Sequence, residues 1–502
     1  MVCWDHLSYK STNFVFCFRY NLLYSMSFSS RIVNGALRYR AAKAIESLFS
    51  PSPTESNAQT GPSVASRLRQ NPYYLSLPAI ALPAQLDLAA ITYLRENSLS
   101  SPKAIEDRSE LLYNFLWSRP LLSESQIIHQ MEAKNLSIGD VGDSDLNLTT
   151  AVLSHHPDDL TRSRRSSVWK SHEMALEEWK SLTYSGHNCE LYLTARLAPN
   201  FASACRVFYE IRKRCPKFIP RNLFDFGSGL GTITWATNTV WPVGCIKEHY
   251  MVEPSADMTA LSEFMFRKSL VTKTPETVFH GIYHRRFMPA TKQTYDLVVS
   301  AYTLIELPGL RERLRSVSSL WDRTAGFLVL VEQGTKAGFA AILEARDWLI
   351  THGGEDLFIF APCPHKQNCG KKDSLCNIAV QYYHFGLTRE KSEPLTEKIS
   401  YLIVSRGDWR KYQTPVVEVD PPHLPRLVSY GISNSRPILH DVCLPNGSVE
   451  RTVFPKTSTD KSLYYFVRHA RAGDILPGDE ASVTDETTHL LNDSESNASV
   501  DD

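Results

Sequence analysis

The stretch "LFDFGSGLGTITWAT" constrains this chain more than any other. An apolar run ends in Asp225, a turn carries Gly227, Gly229 and Gly231, and a helix-forming run begins near Thr232. Strand, glycine turn and helix in that order open a βα unit. Glycines belong where the backbone turns sharply and a ligand must come close to it. Around this unit, short β-rich runs alternate with helical stretches: "NLFDF" (222–226), "HYMVE" (249–253), "TVFHGIY" (277–283), "YDLVVS" (295–300) and "GFLVLVE" (326–332). The alternation predicts a parallel sheet with helices on both faces. "KISYLIVSR" (398–406) and "SLYYFVRHA" (462–470) read as two further strands.

Two cofactor classes use such a loop. The dinucleotide fingerprint is G-x-G-x-x-G, whereas here the spacing is G-x-G-x-G and Thr232 stands at the next fingerprint position. Asp225 at the strand end suits the E/D-x-G-x-G-x-G loop of class I S-adenosylmethionine-binding domains. The second strand ends in Glu253, 22 residues after Gly231, where an acid accepts ribose hydroxyls in either class. The pattern favours S-adenosylmethionine over a dinucleotide, and a purely structural glycine turn is the plain alternative. The segment after the fourth strand, "YDLVVSAYTLIELP", is less telling for catalysis. Ala301, Tyr302 and Thr303 make neither an Asn/Asp-Pro-Pro-Tyr clamp for a target amine nor a Pro-Cys nucleophile. Pro362-Cys363 follows the fifth strand, but Cys363 has cysteine neighbours that a lone nucleophile does not need. The catalytic set is left empty.

Of the chain's ten cysteines, Cys3, Cys17, Cys189, Cys205, Cys215 and Cys245 are scattered and read as small apolar packing residues or exposed thiols. "CPHKQNCGKKDSLC" instead gathers Cys363, Cys369 and Cys376. Disulfides are disfavoured in a reducing compartment, and three cysteines leave one unpaired. Metal binding fits better, because thiolates suit zinc and iron–sulfur clusters and such sites want four ligands. His365, His384 and the distant Cys443 are the candidates for the fourth. The C-x5-C-x6-C spacing is wider than a zinc knuckle and leaves room for a larger cofactor, with zinc and iron–sulfur both open.

Composition bounds the rest. The chain has 502 residues, 43% of them hydrophobic, which is ample for a core. Its 54 basic and 54 acidic side chains cancel, so there is no global nucleic-acid signal, but the charge is segregated. Between Met1 and Lys43 the only acid is Asp5. From Met26 the sequence "MSFSSRIVNGALRYRAAKAIESLF" has the Ser- and Arg-rich, acid-poor composition of a mitochondrial transit peptide, with a surface helix as the ordinary alternative. On the transit reading Met26 is the true start. The expected organisation is a targeting region (1–50), a linker (51–66), an N-terminal helical region (67–215), the first part of the sheet domain (216–355), a cysteine-rich insertion (356–394), the last strands (395–472) and a disordered acidic tail (473–502). No stretch is a good membrane span: "YLSLPAIALPAQLDLAAITYL" comes closest and is broken by Pro78, Pro83 and Asp87.

These motifs occur together in one family. The chain resembles the methyltransferase-like protein 17 family of mitochondria and its yeast relatives. The likeness is carried by "YLTARLAPNFASACRVFYEIRKRCPKFIPRNLFDFGSGLGT", "YDLVVSAYTLIELP", "GFLVLVEQGTKAGFAAILEAR", "APCPHKQNCGKKDSLC" and "VCLPNG", over about residues 170–475. The resemblance implies an α/β fold with a class I S-adenosylmethionine-dependent methyltransferase-like (Rossmann-like) sheet. It implies a matrix-located assembly factor of the mitochondrial small ribosomal subunit, bound to rRNA, without membrane insertion and monomeric off the ribosome. Such proteins are regarded as non-enzymes, the alternative being an active rRNA methyltransferase. The resemblance further implies a [4Fe–4S] cluster, zinc being the alternative, on Cys363, Cys369, Cys376 and Cys443. Asp225, Gly227, Gly229, Gly231 and Glu253 match the S-adenosylmethionine loop. A folded insertion would present Lys366, Lys371 and Lys372 to phosphates, or else these lysines are a solvated loop.

Overall fold

The structure is a computed structural model. It describes residues 68, 71–121, 182–268, 276–388, 393–413, 424–429, 431–433, 437–457 and 460–477. The expected targeting region and linker, residues 122–181 of the expected helical region and the tail beyond residue 477 lie outside the described residues, whereas residues 473–477 of the expected tail are folded, with Asp474 and Ile475 buried.

Among the described residues, three helices precede the sheet: α1 (Ala84–Asn97), α2 (Pro102–Ser118) and α3 (His187–Arg214). α2 begins where Ser101 accepts a hydrogen bond from the Ala104 amide and Pro102 fills the first turn. α3 is buried along most of its length, because α2, the sheet and the helix after the glycine loop surround it.

The sheet then runs β1 (Asn222–Phe226), α4 (Thr232–Val240), β2 (Glu248–Val252), α5 (Ala256–Met265), β3 (Ile282–Arg285), β4 (Tyr295–Ala301), α6 (Leu310–Asp322), β5 (Thr324–Gln333), α7 (Lys336–His352), β6 (Leu357–Ala361), β7 (Ile378–Tyr382) and β8 (Leu395–Arg406). Its spatial order is β3-β2-β1-β4-β5-β8-β6, with β7 also on β8. β1 to β5 are parallel, whereas β8 runs antiparallel to β5. The sheet is therefore mixed, which corrects the expectation of parallel strands alone. The central strands read as near-continuous apolar runs because helices cover both faces.

β6 pairs with Ile403–Arg406 of β8, and β7 pairs with Leu395–Ile399. Ser400, Tyr401 and Leu402 have β5 on one side and neither β6 nor β7 on the other. The cysteine loop joins β6 to β7 across this gap.

Two expectations are corrected in detail. The third strand begins after Gly281, not at Thr277. Gly281 has φ +71 and its Cα is backed against the Lys247 carbonyl, while Thr277 is drawn into a bridge with Arg267. "SLYYFVRHA" is a helix, α8 (Lys461–His469), not a strand. Asp460 caps it through the Leu463 amide, and Phe466 and Val467 turn into a small core beneath a second sheet. That sheet comprises β9 (Arg426–Leu427), β10 (Ile432–Ser433), β11 (Ile438–Cys443) and β12 (Val449–Phe454). Tyr73 and Leu75 from the other end of the chain complete its core. No helix among the described residues is long and apolar enough to cross a membrane.

Candidate functional site

The strand order reverses between β1 and β4, and in open α/β sheets the crevice at such a switch point holds the ligand. The glycine loop sits there. Gly227, Gly229 and Gly231 all have positive φ, at 75°, 46° and 74°. Their reasons differ. A Cβ on Gly227 would run into Thr303, and one on Gly231 into the Phe266 ring, so both are fixed by the chain's own packing. A Cβ on Gly229 would meet nothing nearer than the Gly227 carbonyl at 4.0 Å. The loop is open to an approaching group at Gly229.

Glu253 stands just beyond β2. Its carboxylate accepts from the Gly229 amide at 3.0 Å and the Ser255 amide at 2.9 Å. Burial raises its pKa, with the two amides opposing. Each oxygen keeps acceptor capacity, so ribose hydroxyls can be bound without breaking either bond. Asp225 is fully buried and neither carboxylate oxygen has a partner among the described residues. Burial, and then the charge of Glu253, push its pKa well up. These features fit a nucleoside-bearing group of the S-adenosylmethionine type.

The segment after β4 is turned inward. Tyr302 has φ 59° and is buried, with the Arg196 guanidinium 4.7 Å from its ring centre. Arg196 also pairs with Glu397 at 2.9 Å, and Glu397 accepts from the Tyr113 hydroxyl at 2.8 Å. Thr303 donates to the Phe226 carbonyl at 3.2 Å, above Gly227. Glu306 receives both terminal nitrogens of Arg119, at 2.9 and 2.6 Å, and the Tyr184 hydroxyl at 3.0 Å. Glu332 takes the Leu304 and Ile305 amides, and burial pushes its pKa up to about 8. The position where a catalytic clamp would stand is thus spent on a buried polar network tied to α2 and α3.

The second candidate site lies in the β8 gap. Cys363, Cys369 and Cys376 line a cleft with Arg346, Arg426 and the Ile399–Leu402 segment. Cys443 ends β11 in register with Arg426 of β9, and its sulfur lies 3.4 Å from His365 Nε2. The loop and the turn after β11 are pressed together: a Cβ on Gly370 would fall 2.6 Å from the Gly447 carbonyl. Burial raises the pKa of the Cys376 thiol, and the nearby Cys363, Cys369 and Cys443 raise it further. Burial, then Cys363 and Cys369, push Cys443 up to about 12. Cys376 and Cys443 thus both sense Cys363 and Cys369. Among the described residues, no group of three or more His, Cys, Asp or Glu side chains is drawn tightly enough to hold one metal ion. His384 is elsewhere, its Nε2 at 2.9 Å from the Thr194 carbonyl.

Sequence reasoning missed what supports the cleft. Arg346 on α7 donates to the His365 and Gln367 carbonyls at 3.1 and 2.7 Å, so it shapes the cysteine loop. Arg426 pairs with the fully buried Glu210 of α3 at 2.8 Å. Glu210 also pairs with Arg206 at 3.3 Å and Arg214 at 3.2 Å, and accepts from the Tyr401 hydroxyl at 2.8 Å. Burial raises the Glu210 pKa, but Arg426, Arg206 and Arg214 outweigh it and bring the carboxyl down to about 2. Lys366 and Lys372 are exposed, as expected, and Lys371 is half-buried; the Lys366 ammonium also donates to the Leu357 carbonyl at 2.6 Å.

The strand order, the antiparallel β8 and the glycine loop after β1 define a class I S-adenosylmethionine-dependent methyltransferase-like fold. Residues 187–477 match the family described as mitochondrial small ribosomal subunit Rsm22, and the chain belongs to that family. It is 32% identical over 418 residues to the human ribosome assembly protein METTL17, mitochondrial, covering 82% of this chain and 85% of that one. It is 24% identical over 301 residues to the Schizosaccharomyces pombe Rsm22-cox11 tandem protein 2, mitochondrial, covering 51% of this chain and 38% of that one. Among solved structures, magnesium protoporphyrin IX methyltransferase from Synechocystis with bound SAH matches 50% of this chain and 99% of its own, at 11% identity and a TM-score of 0.27. The plantazolicin methyltransferase BpumL with SAH matches 42% of this chain and 84% of its own, at 10% identity and a TM-score of 0.27.

Proposed function

We propose that the chain is an assembly factor of the mitochondrial small ribosomal subunit, acting in the matrix, binding the subunit's rRNA and supporting mitochondrial translation without transferring a methyl group. Family membership across residues 187–477 carries this reading. The inward turn of Tyr302 and Thr303 supports the non-catalytic part, because it leaves no free clamp or nucleophile at the end of β4. The openness at Gly229 favours a second reading, an active rRNA methyltransferase, and supports retained S-adenosylmethionine binding in either case.

The cleft carries the second half of the proposal. Cys363, Cys369, Cys376 and Cys443 would hold a [4Fe–4S] cluster, with zinc as the alternative. The donors are thiols, three of them line one cleft, and Arg346 and Arg426 offset thiolate charge. When bound, such a group would tie β6, β7 and β11 together. The protein is a monomer off the ribosome.

Two measurements test this reading. Depleting the protein should lower mitochondrial small subunits in a sucrose gradient, and a variant closed at the loop, Gly229→Val, should restore them. Failure of that variant together with loss of one methylated rRNA base would replace the assembly reading with the enzymatic one. Anaerobically purified protein should carry about four irons and matching sulfide, sharply reduced in Cys443→Ser. Zinc without sulfide would overturn the iron–sulfur assignment.

A further inference from the structure

β3 is the edge strand of the main sheet, pairing with β2 alone among the described strands. Edge strands expose unpaired backbone groups and are normally blunted or covered. Here the edge carries a distinctive set of side chains. Exposure alternates along it: Ile282 and His284 are half-buried, while Tyr283 and Arg285 face outward. Two residues past its end, Phe287 is 75% exposed, and Tyr283 is 45% exposed. Among the described residues these are the only exposed aromatic side chains.

Cations are interleaved with them. Arg285, Arg286 and Lys292 are exposed, and none forms an ion pair with a carboxylate among the described residues. Between Glu276 and Asp296 the sequence has no acid at all. The Arg286 guanidinium is held 3.4 Å from the Pro254 carbonyl, and the Arg285 guanidinium lies 5.7 Å from the Tyr250 ring centre. Tyr250 is in register with Tyr283 and stacks on the buried Phe224 at 5.4 Å and 12°. An aromatic row thus runs from the core to the open edge. Glu248, the acid on this face, stands at the other end of the row.

We infer that this edge, residues 283–292, is a docking strip for an unpaired RNA segment. Tyr283 and Phe287 offer faces on which bases stack, and Arg285, Arg286 and Lys292 reach backbone phosphates. Bare apolar edges attract other strands, but charged and aromatic side chains in alternation suit a polyanion with π-faces. The inference rests on the rRNA-binding part of the proposed function and locates it away from the cysteine loop.

The test is fluorescence anisotropy with the full chain and a labelled single-stranded RNA of about 12 nucleotides, a length within reach of such strips. Tyr283→Ala and Phe287→Ala should each weaken binding roughly ten-fold, from the loss of one stacked base. Tyr283→Phe should bind like the parent chain, which separates stacking from misfolding. Arg285→Ala, Arg286→Ala and Lys292→Ala together should flatten the dependence of log affinity on log salt by about 2, near 0.7 per phosphate on a single strand. If the parent chain binds no RNA, the rRNA reading itself falls and this inference with it. If the parent binds and the strip variants bind equally, only the inference falls. If those variants keep RNA affinity but lose association with isolated small subunits, the strip takes a protein, and the RNA assignment is overturned.

Discussion

Replacing Glu210 by Gln tests the reasoning about buried charge most directly. The side chain is fully buried and meets three guanidinium groups, Arg426 at 2.8 Å, Arg214 at 3.2 Å and Arg206 at 3.3 Å. Gln keeps the volume, so there is no cavity contribution, but it removes the counter-charge. Breaking a buried pair from one side costs about 3–5 kcal/mol, because the remaining charge stays desolvated. The fall of the carboxyl from 4.5 to about 2, caused by the same three arginines, points the same way. The sign is that of a depressed carboxyl. Its stabilisation is fully present above pH 4.5 and is lost as pH falls toward about 2. Urea melts of parent and Glu210→Gln at neutral pH should therefore differ by about 3–5 kcal/mol, and the difference should shrink as the buffer is taken below pH 4.5. A difference under about 1 kcal/mol, or one independent of pH, would refute the claim that this carboxylate holds the arginines in place. On the proposed iron–sulfur reading, the variant should also take up less iron, since Arg426 sits in register with Cys443.

Other outcomes follow from local geometry. Gly231→Ala should lower stability by about 2–4 kcal/mol, from strain at positive φ plus collision with Phe266, read as a fall in melting temperature. Gly229→Ala should cost only about 1 kcal/mol, because its surroundings are open, and on the proposed reading should weaken S-adenosylmethionine binding measured by calorimetry. Burial lowers the His249 pKa from 6.5 to about 4. Its contribution is present above pH 6.5 and lost as pH falls toward 4, about 3 kcal/mol in all. His249→Gln should remove that slope from the stability profile between those values, and an unchanged slope would place the titration elsewhere.

Strong local signals were legible in the sequence. The strand, glycine turn and helix from Asn222 to Val240 stand where their pattern puts them, because each glycine sits at a positive φ that other residues avoid. β4 and β5 were visible as apolar runs too long for a loop. β6 and β7 were not, since each is five residues long and the cysteine loop separates them. α8 was misread because "SLYYFVRHA" is rich in aromatic residues; its cap at Asp460 and the small core beneath it decide for helix. In the candidate site, three thiols were obvious from spacing. The nearness of Cys443 depends on the pairing of β9 with β11 and on the contact between Gly370 and Gly447, neither of which leaves a local mark. Arg346, Arg426 and Glu210 were invisible for the same reason: charges read as surface until distant elements enclose them.

That enclosure sets an order of events for a chain made from its N-terminus. Arg206, Glu210 and Arg214 belong to α3, Tyr401 follows about two hundred residues later, and Arg426 comes later still. Near the same end, Asp474 reaches back to the Leu75 amide at 2.7 Å. Contacts so far apart in sequence make folding slow, since the loop entropy is spent before the contacts form. Until residue 426 emerges, Glu210 on α3 lacks one of its three guanidinium partners, on a surface destined to be dry. A nascent chain stalled before that point is therefore no smaller domain but an unfinished one, with part of its interior still uncovered.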